Sequence, residues 1–365
     1  MSHQIYQQIE KAILEDLSGQ SRPKGWRLPS EAELCRQYSC SRQTVRKALA
    51  SLTEKGIIAS RQGFGSFLTR PILSHPSKDI SVLLPSISGF VYPSVLKGAE
   101  SVLTPLGYRV SVYQIESERD ELSVLQRLIE DPPAGIIKTN DQPFTPFPDY
   151  YRRLRELGVP LVFAENGVMN FSDCTRVTMD HFSCGETAAR ILAEAGCTHP
   201  TNLVPRINLA HTARHAGFLC GLSRLNLPIS EFSGVRFASD HDSYARIAPI
   251  SPESIPLYSR QRIEAALKQA DGVLVGDYHI HYVLSVLEKL GRVPGRDLSV
   301  ISVSDSPFLE TISQPISSLA HAKEKMGITA ANAVLRLLEG EENREYRLPF
   351  ELIDRGSIFC PSAGE

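Results

Sequence analysis

From Ile80 onward, short runs rich in valine and isoleucine alternate with stretches of helical periodicity, and this alternation limits the fold more than any other feature. Strands are expected at Ile80–Leu84, Arg109–Tyr113, Gly135–Lys138, Pro160–Ala164, Arg176–Met179, Asn202–Pro205, Gly272–Gly276 and Ser299–Val303. Between them, helical patterns cover Tyr92–Leu103, Glu118–Ile129, Tyr150–Leu157, His181–Ala195, Ala213–Leu225, Ser259–Gln269, His281–Leu290 and Lys325–Leu338. Strands that are apolar on both faces must be covered on both faces, so they belong to a parallel sheet flanked by helices. At about 285 residues the segment is too long for one modest sheet, which predicts two doubly wound lobes with a cleft between them.

Open parallel sheets bind ligands beyond the C-terminal ends of their strands. Applied to the strands above, that rule selects Phe90 and Tyr92, Lys138, Glu165, Asp180, Arg214, Asp277 and Asp305. The set mixes carboxylates, cations and aromatics. Charged groups hydrogen-bond strongly to hydroxyls and aromatic faces cover the C–H faces of a sugar ring, so the mixture suits a sugar. The same residues have a plainer use: polar residues at strand ends often cap the next helix, and Asp180 and Asp277 are natural N-caps.

The N-terminal part reads differently. Ile5, Ile9, Ala12, Ile13 and Leu17 share one face of a first helix. Ser30 stands three residues before Glu33, the spacing of a capping box, and opens a second short helix. Ser41 caps a third, on which Val45, Ala48, Leu49 and Leu52 form the buried stripe. Arg42, Gln43, Arg46 and Lys47 lie off that stripe, and Gly56 supplies the stop. Ile57-Ile58 and Ser66-Phe67-Leu68 flank Gly63-Phe64-Gly65 as strand, turn and strand. Trp26 is expected at the edge of this small core. A helix with an apolar back and a basic front fits the major groove of DNA; it equally describes a solvated basic face.

Charge is unevenly placed. Residues 1–70 hold 11 Lys/Arg against 6 Asp/Glu, whereas the whole chain carries −2, so a basic end sits on an acidic body. The seven cysteines are odd in number and show no C-x-x-C pair, which argues against a disulfide framework or zinc ribbon and for a reducing compartment. Met1–Glu10 is polar and no apolar run is long enough for a membrane span, so a cytoplasmic protein with no membrane contact is expected. Pro71 and Pro76 mark a semi-stiff connector over 71–79. There is no P-loop, no G-x-S-x-G and no dinucleotide fingerprint, and His279-Ile280-His281 lacks a third ligand. No enzyme activity, metal or cofactor is expected, and residues 239–258 fit no recognisable segment.

LPSEAEL, SRQTVRKAL and GFGSFL, in order and correctly spaced, resemble the winged-helix signature of the GntR family of bacterial repressors. The resemblance implies DNA contact by Ser41, Arg42, Gln43, Thr44, Arg46, Lys47 and Arg61, with Gly63 letting the wing approach the minor groove. Over 80–357 the chain resembles LacI-type effector domains, themselves similar to periplasmic sugar-binding proteins. The likeness is carried by ISGFVYPSVLKGAES, LRELGVPLVFAEN, VTMDHFSCGETAARILAEAG, RHAGFLCGL and VGDYHIHYVLSVLEKLGRVPGRDLSVISVSDSP. It implies a sugar effector gripped by Arg214 and Asp277, with Phe90, Tyr92, Lys138, Glu165, Asp180, Asp305 and His321 around it. The combination resembles the arabinose-repressor group, which points to L-arabinose or a related pentose; another sugar or a sugar phosphate is the alternative, as is a sugar-binding module whose head pairs with protein.

The architecture so implied is a winged helix-turn-helix over 1–70, a linker over 71–79, and a type I periplasmic-binding-protein-like body over 80–365. Lobe one is expected at about 80–164 and 297–320, and lobe two at about 165–296 and 321–365. A homodimer formed through the body would set two heads on a palindromic operator. The chain departs from the family patterns at Ala32, at Pro205-Arg206, and at Ser302 and Ser304, where the LacI-type pattern has glycine and aspartate.

Overall fold

The computed structural model describes residues 2–359 except 19–21, 23–24, 62, 70–76, 86, 88–89, 141–143, 166–168, 206–208, 238–253 and 311. The linker expected at 71–79 lies outside the described residues up to 76, as do most of residues 239–258.

The head consists of α1 (Ser2–Ser18), α2 (Glu31–Gln37), α3 (Arg42–Glu54) and an antiparallel hairpin of β1 (Ile58–Arg61) and β2 (Gly65–Leu68). Ser30 and Glu33 form the capping box: Glu33 N donates to Ser30 Oγ at 3.3 Å and Ser30 N donates to Glu33 Oε2 at 2.7 Å. The helix ends in a Schellman turn, with Ser39 at φ +49° and Cys40 N donating to Cys35 O at 3.2 Å. Ser41 Oγ then accepts from Thr44 N and starts α3. Val45, Ala48, Leu49 and Leu52 pack with Ile13, Leu17, Leu34 and Leu68, and Trp26 lies at the edge of that cluster. Leu52 is fully buried; its truncation to alanine should cost about 2–5 kcal/mol, enough to unfold so small a core.

The body holds two six-stranded sheets. The first, in spatial order, is β13 (Glu345–Leu348), β7 (Thr175–Met179), β6 (Leu161–Glu165), β5 (Gly135–Asn140), β3 (Asp79–Leu84) and β4 (Arg109–Gln114), all parallel. The second is β14 (Glu351–Ile353), β12 (Ser317–Ala320), β11 (Ser299–Ser304), β10 (Gly272–Gly276), β8 (Pro200–Pro205) and β9 (Gly234–Phe237), in which only β14 is antiparallel to its neighbour. Helices α4 (Tyr92–Leu103), α5 (Glu118–Glu130), α6 (Pro148–Glu156) and α11 (Lys323–Leu338) cover the first sheet. Helices α7 (His181–Glu194), α8 (Leu209–Arg224), α9 (Leu257–Gln269) and α10 (Ile280–Lys289) cover the second.

This topology corrects the expected division of the lobes. Residues 297–320 do not return to lobe one: β11 and β12 extend the second sheet beside β10. Conversely β7, placed in lobe two by the sequence, pairs with β6 in the first sheet. The segment from 321 onward also goes back, α11 onto the core of lobe one and β13 onto β7, before β14 crosses once more. The cause is strand pairing: each sheet is completed by its sixth strand only if the chain crosses three times, at 180–181, 321–322 and 349–350. These crossings are the connection between the lobes, and the site is built on them.

Candidate functional site

The strand ends and the three crossings meet in one buried polar cluster. Glu165 ends β6 at φ +80°, Ser304 ends β11 at φ +103°, and Asp305 follows it at φ +54°. Left-handed backbone at residues other than glycine costs of order 1–3 kcal/mol and persists where surrounding structure dictates it. Here it turns the carboxylate of Glu165 toward the crossing at His321, whose Nε2 lies 2.9 Å from Oε2, both side chains buried. In the neutral ring with Nε2 donating to the carboxylate, Nδ1 of His321 is an acceptor, and it has no partner of good geometry among the described residues.

Arg214 comes from α8, packed hard against α7. A Cβ at Gly185 would overlap the carbonyl of Arg214, and one at Gly217 would overlap that of Phe182, so both glycines are required for the two backbones to cross where they do. The crossing holds Arg214 beside His181, with NH2 3.2 Å from Nδ1. Burial first, and then the Arg214 charge, push the His181 pKa well below its ordinary value. The ring is therefore neutral and accepts from the guanidinium at Nδ1, which leaves Nε2 as a donor. Phe350, on the third crossing, lies among these groups: 5.3 Å from the His181 ring, 5.8 Å from that of His321 and 5.8 Å from the Arg214 guanidinium.

From the second lobe, Asp277 is buried and its Oδ2 accepts from Ser306 N at 2.5 Å. Burial raises its pKa to about 6, with the Ser306 backbone and the Ser302 and Ser306 hydroxyls opposing the rise. Lys323, the first residue of α11 in lobe one, donates to the carbonyls of Ser304 (2.6 Å) and Asp305 (2.8 Å) in lobe two. Its ammonium also lies 5.0 Å from the centre of the Phe90 ring, which in turn meets Tyr278 of the other lobe at 5.9 Å. A cavity of about 500 Å³ opens beside this cluster, with Glu165, Asp180, His181, Phe182 and Ala213 on its walls and Arg176 and Arg347 at the lobe-one edge; Arg214, Asp277 and His321 are not on its walls. That volume suits a small ligand.

Not every strand-end residue joins the group. Lys138 is buried but pairs with Glu121 of α5 and lies over the Tyr151 ring of α6, inside lobe one. Its charge is neutralised there by a carboxylate 17 residues earlier in the chain. Tyr92 is buried in the core of lobe one and offers no stacking face. Asp180 caps α7, accepting from Ser183 N at 3.0 Å, and also lies on the cavity wall, whereas Asp277, equally plausible as a cap, caps nothing. Asp305 is engaged by Arg355 at 2.8 Å. Sequence reasoning missed Phe350, Lys323 and Arg355. The first two follow crossings rather than strands of the alternating pattern, and the signal that could have found Lys323 is its position two residues after His321. Among the described residues no three His, Cys, Asp or Glu side chains come together as a metal set, and no helix is long and apolar enough to cross a membrane.

On the head, Arg42, Gln43, Arg46 and Lys47 are all exposed. Ser41 and Thr44 use their side chains on each other and on the cap. Arg46 Nε donates to both carboxylate oxygens of Glu31 on α2, at 3.0 and 3.1 Å, which fixes the direction of the guanidinium. Arg61 and Gly63 lie on the hairpin, the glycine at φ +80°.

A winged-helix head joined to two parallel-sheet lobes, with a polar cleft at the crossings, defines a ligand-responsive regulator architecture. Residues 5–68 match the family model of bacterial regulatory proteins, gntR family, and residues 189–358 match that of the periplasmic binding protein-like domain. The chain is a gntR-type head fused to a periplasmic-binding-protein-like body. Among its relatives is the arabinose metabolism transcriptional repressor of Geobacillus stearothermophilus, 25% identical over 340 residues that cover 92% of this chain and 91% of the relative. A second, of the same description, from Halalkalibacterium halodurans, is 27% identical over 350 residues, 92% of this chain and 89% of the relative. In structure, the complex of the transcriptional regulator CelR with cellobiose superposes with a TM-score of 0.63 at 16% identity, covering 90% of this chain and all of that one.

Proposed function

We propose that this protein is a cytoplasmic transcriptional repressor that leaves its operator when a small sugar, L-arabinose or another pentose, binds between the lobes. The observation that carries the reading is the convergence of buried polar atoms without a partner of good geometry among the described residues: His181 Nε2, Arg214 Nε, Asp277 Oδ1 and His321 Nδ1. Buried polar groups are ordinarily satisfied, and an unmade hydrogen bond costs about 1–3 kcal/mol. Two donors and two acceptors buried where the lobes join, with His181 on the cavity wall, match the hydroxyls of a sugar, each of which both donates and accepts. Arg214 and His181 donate to it, and Asp277 and His321 accept. Glu165 and Asp305 position His321 and Arg355, and Phe350 and Phe90 offer apolar faces. The names of the relatives support a pentose, and the relative bound to cellobiose supports a sugar site in this fold.

Phe90, Lys323 and Glu165 in lobe one reach partners in or leading from lobe two, so a ligand held by both lobes favours their approach. The ligand shifts the equilibrium only by its differential affinity for the closed arrangement. Two bodies paired as a dimer transmit that change to the spacing of two heads, whose Arg42, Arg46 and Lys47 face the operator. The test is a thermal-shift screen against pentoses, hexoses and their phosphates, followed by operator titration with each sugar that binds. A pentose that raises the melting temperature and weakens operator binding supports the reading; stabilisation by no sugar overturns it.

A further inference from the structure

The tip of the wing is apolar. Phe64 is 70% exposed, more than any other large apolar side chain among the described residues. It stands between Gly63 at φ +80° and Gly65 at φ +105°, on a hairpin held in register by the Arg61–Gly65 pairing and by the Ser60 and Ser66 hydroxyls 2.9 Å apart. Phe64 N donates to Arg61 O at 3.0 Å, which closes the turn and fixes where the side chain starts. The strand ends that carry the turn are cationic. Arg27 bridges to Phe67, and its Nε lies 3.2 Å from where a Cβ on Gly65 would be; Arg27 and Arg61 are both exposed. A tip meant only for water, or only for phosphate, has no use for a phenyl ring.

We propose that Phe64 is a wedge that enters the DNA minor groove beside the half-site read by α3 and partly unstacks a flexible pyrimidine–purine step. The inference rests on the reading of the head as a DNA-binding module and adds a sequence determinant that α3 does not touch. An apolar tip flanked by cations complements the minor groove, whose walls are phosphate and whose floor is base edges. Apolar side chains inserted between base pairs kink the duplex, and the deformation is least costly at TA and CA/TG steps. The wing thus selects sequence through deformability rather than through hydrogen bonds, at a fixed offset from the core bases.

The experiment uses the full chain without sugar and a randomised duplex pool, with selection repeated for the wild type, Phe64→Ala and Phe64→Leu. Wild type should enrich a core motif with a pyrimidine–purine step at constant distance outside it. Phe64→Ala should keep the core, lose the preference at the step, and bind the wild-type site about tenfold more weakly; Phe64→Leu should retain part of both. With 2-aminopurine at that step of the selected duplex, fluorescence should rise when wild type binds and not when Phe64→Ala binds. Identical enriched sites and an identical fluorescence response for wild type and Phe64→Ala would overturn the wedge while leaving DNA binding intact. Loss of the core together with the step would also contradict it. If wild type enriches nothing, the DNA reading fails and takes the wedge with it.

Discussion

Two contacts of nearly equal length, one in the head and one in the body, differ in everything but distance. Arg46 and Glu31 lie 3.0 Å apart with side chains 70% and 37% exposed, and His321 and Glu165 lie 2.9 Å apart with side chains 1% exposed. Water and salt compete for the first contact, and such pairs add about 0–1 kcal/mol to stability. The second is sealed, and removing one partner of a buried polar pair costs about 3–5 kcal/mol because the other is stranded. The head therefore keeps its charges available for an external polyanion. The body holds its polar groups in a fixed, dry frame suited to a small molecule. Geometry alone would not separate the two; burial does.

The contrast can be broken most directly at Arg214. Arg214→Ala should weaken sugar binding by about 3–5 kcal/mol, roughly a hundred- to several-thousand-fold, and abolish induction, while operator affinity without sugar stays within twofold; calorimetry and gel shift read the two. Equal loss of both activities would mean the cleft is needed for folding rather than for ligand. Next, His321→Ala should lower the unfolding free energy of the body by about 3–5 kcal/mol in urea. A change as small as that expected of Arg46→Ala would show that the buried pair is no stronger than the exposed one.

The body should also respond to acid where the head does not. Burial pushes the His211 pKa down to about 3 and that of His279 to about 4, from an ordinary 6.5. Below pH 6.5 the unfolded chain takes up protons that these folded histidines refuse, so their contribution is complete above 6.5 and is lost as pH falls toward their folded values. Asp277, raised to about 6, acts in the opposite sense, since its folded form binds a proton first as pH drops through 6. With His181, also held well below its ordinary value by burial, three histidines against one aspartate leave a net loss of roughly 2–3 kcal/mol per pH unit between pH 6 and 5. Urea titrations at pH 7, 6 and 5 should show that slope, flattened by His279→Asn and steepened by Asp277→Asn. Stability that rises on acidification would contradict it.

The smallest effect on stability is expected at Arg46. Arg46→Ala should change unfolding of the head by less than about 1 kcal/mol but weaken operator binding by about 1–3 kcal/mol, with a shallower salt dependence. Unchanged operator affinity would remove Arg46 from the interface.

The elements were largely legible in the chain because their signals are local. The capping box at Ser30, the stripe from Val45 to Leu52 and the apolar strands from Ile80 to Val303 each announce themselves within a few residues. β13 and β14 did not: both are short edge strands, Glu345–Leu348 and Glu351–Ile353, mostly exposed and without a buried alternation. β12 hides for another reason, since two of its four residues are buried serines. The allocation of β7, β11, β12 and α11 to lobes was illegible because it depends on which strand pairs with which across long separations.

The candidate site follows the same division. Strand ends pointed to Glu165, Arg214 and Asp277, whereas Phe350 and Lys323 enter only through the crossings. Lys138 satisfied the strand-end rule and lies elsewhere, because nothing near it in the chain reveals Glu121 on a neighbouring helix.

Coupling between the exposed head and the buried cleft is the core of the proposed function. Its most direct test is the affinity of the full-length protein for its selected operator, measured by fluorescence anisotropy at fixed salt with and without saturating L-arabinose or another pentose that binds. The sugar should weaken operator binding by at least tenfold, about 1.4 kcal/mol, and Arg214→Ala should erase the difference. An operator affinity that is the same with and without every sugar that demonstrably occupies the cleft would contradict that coupling.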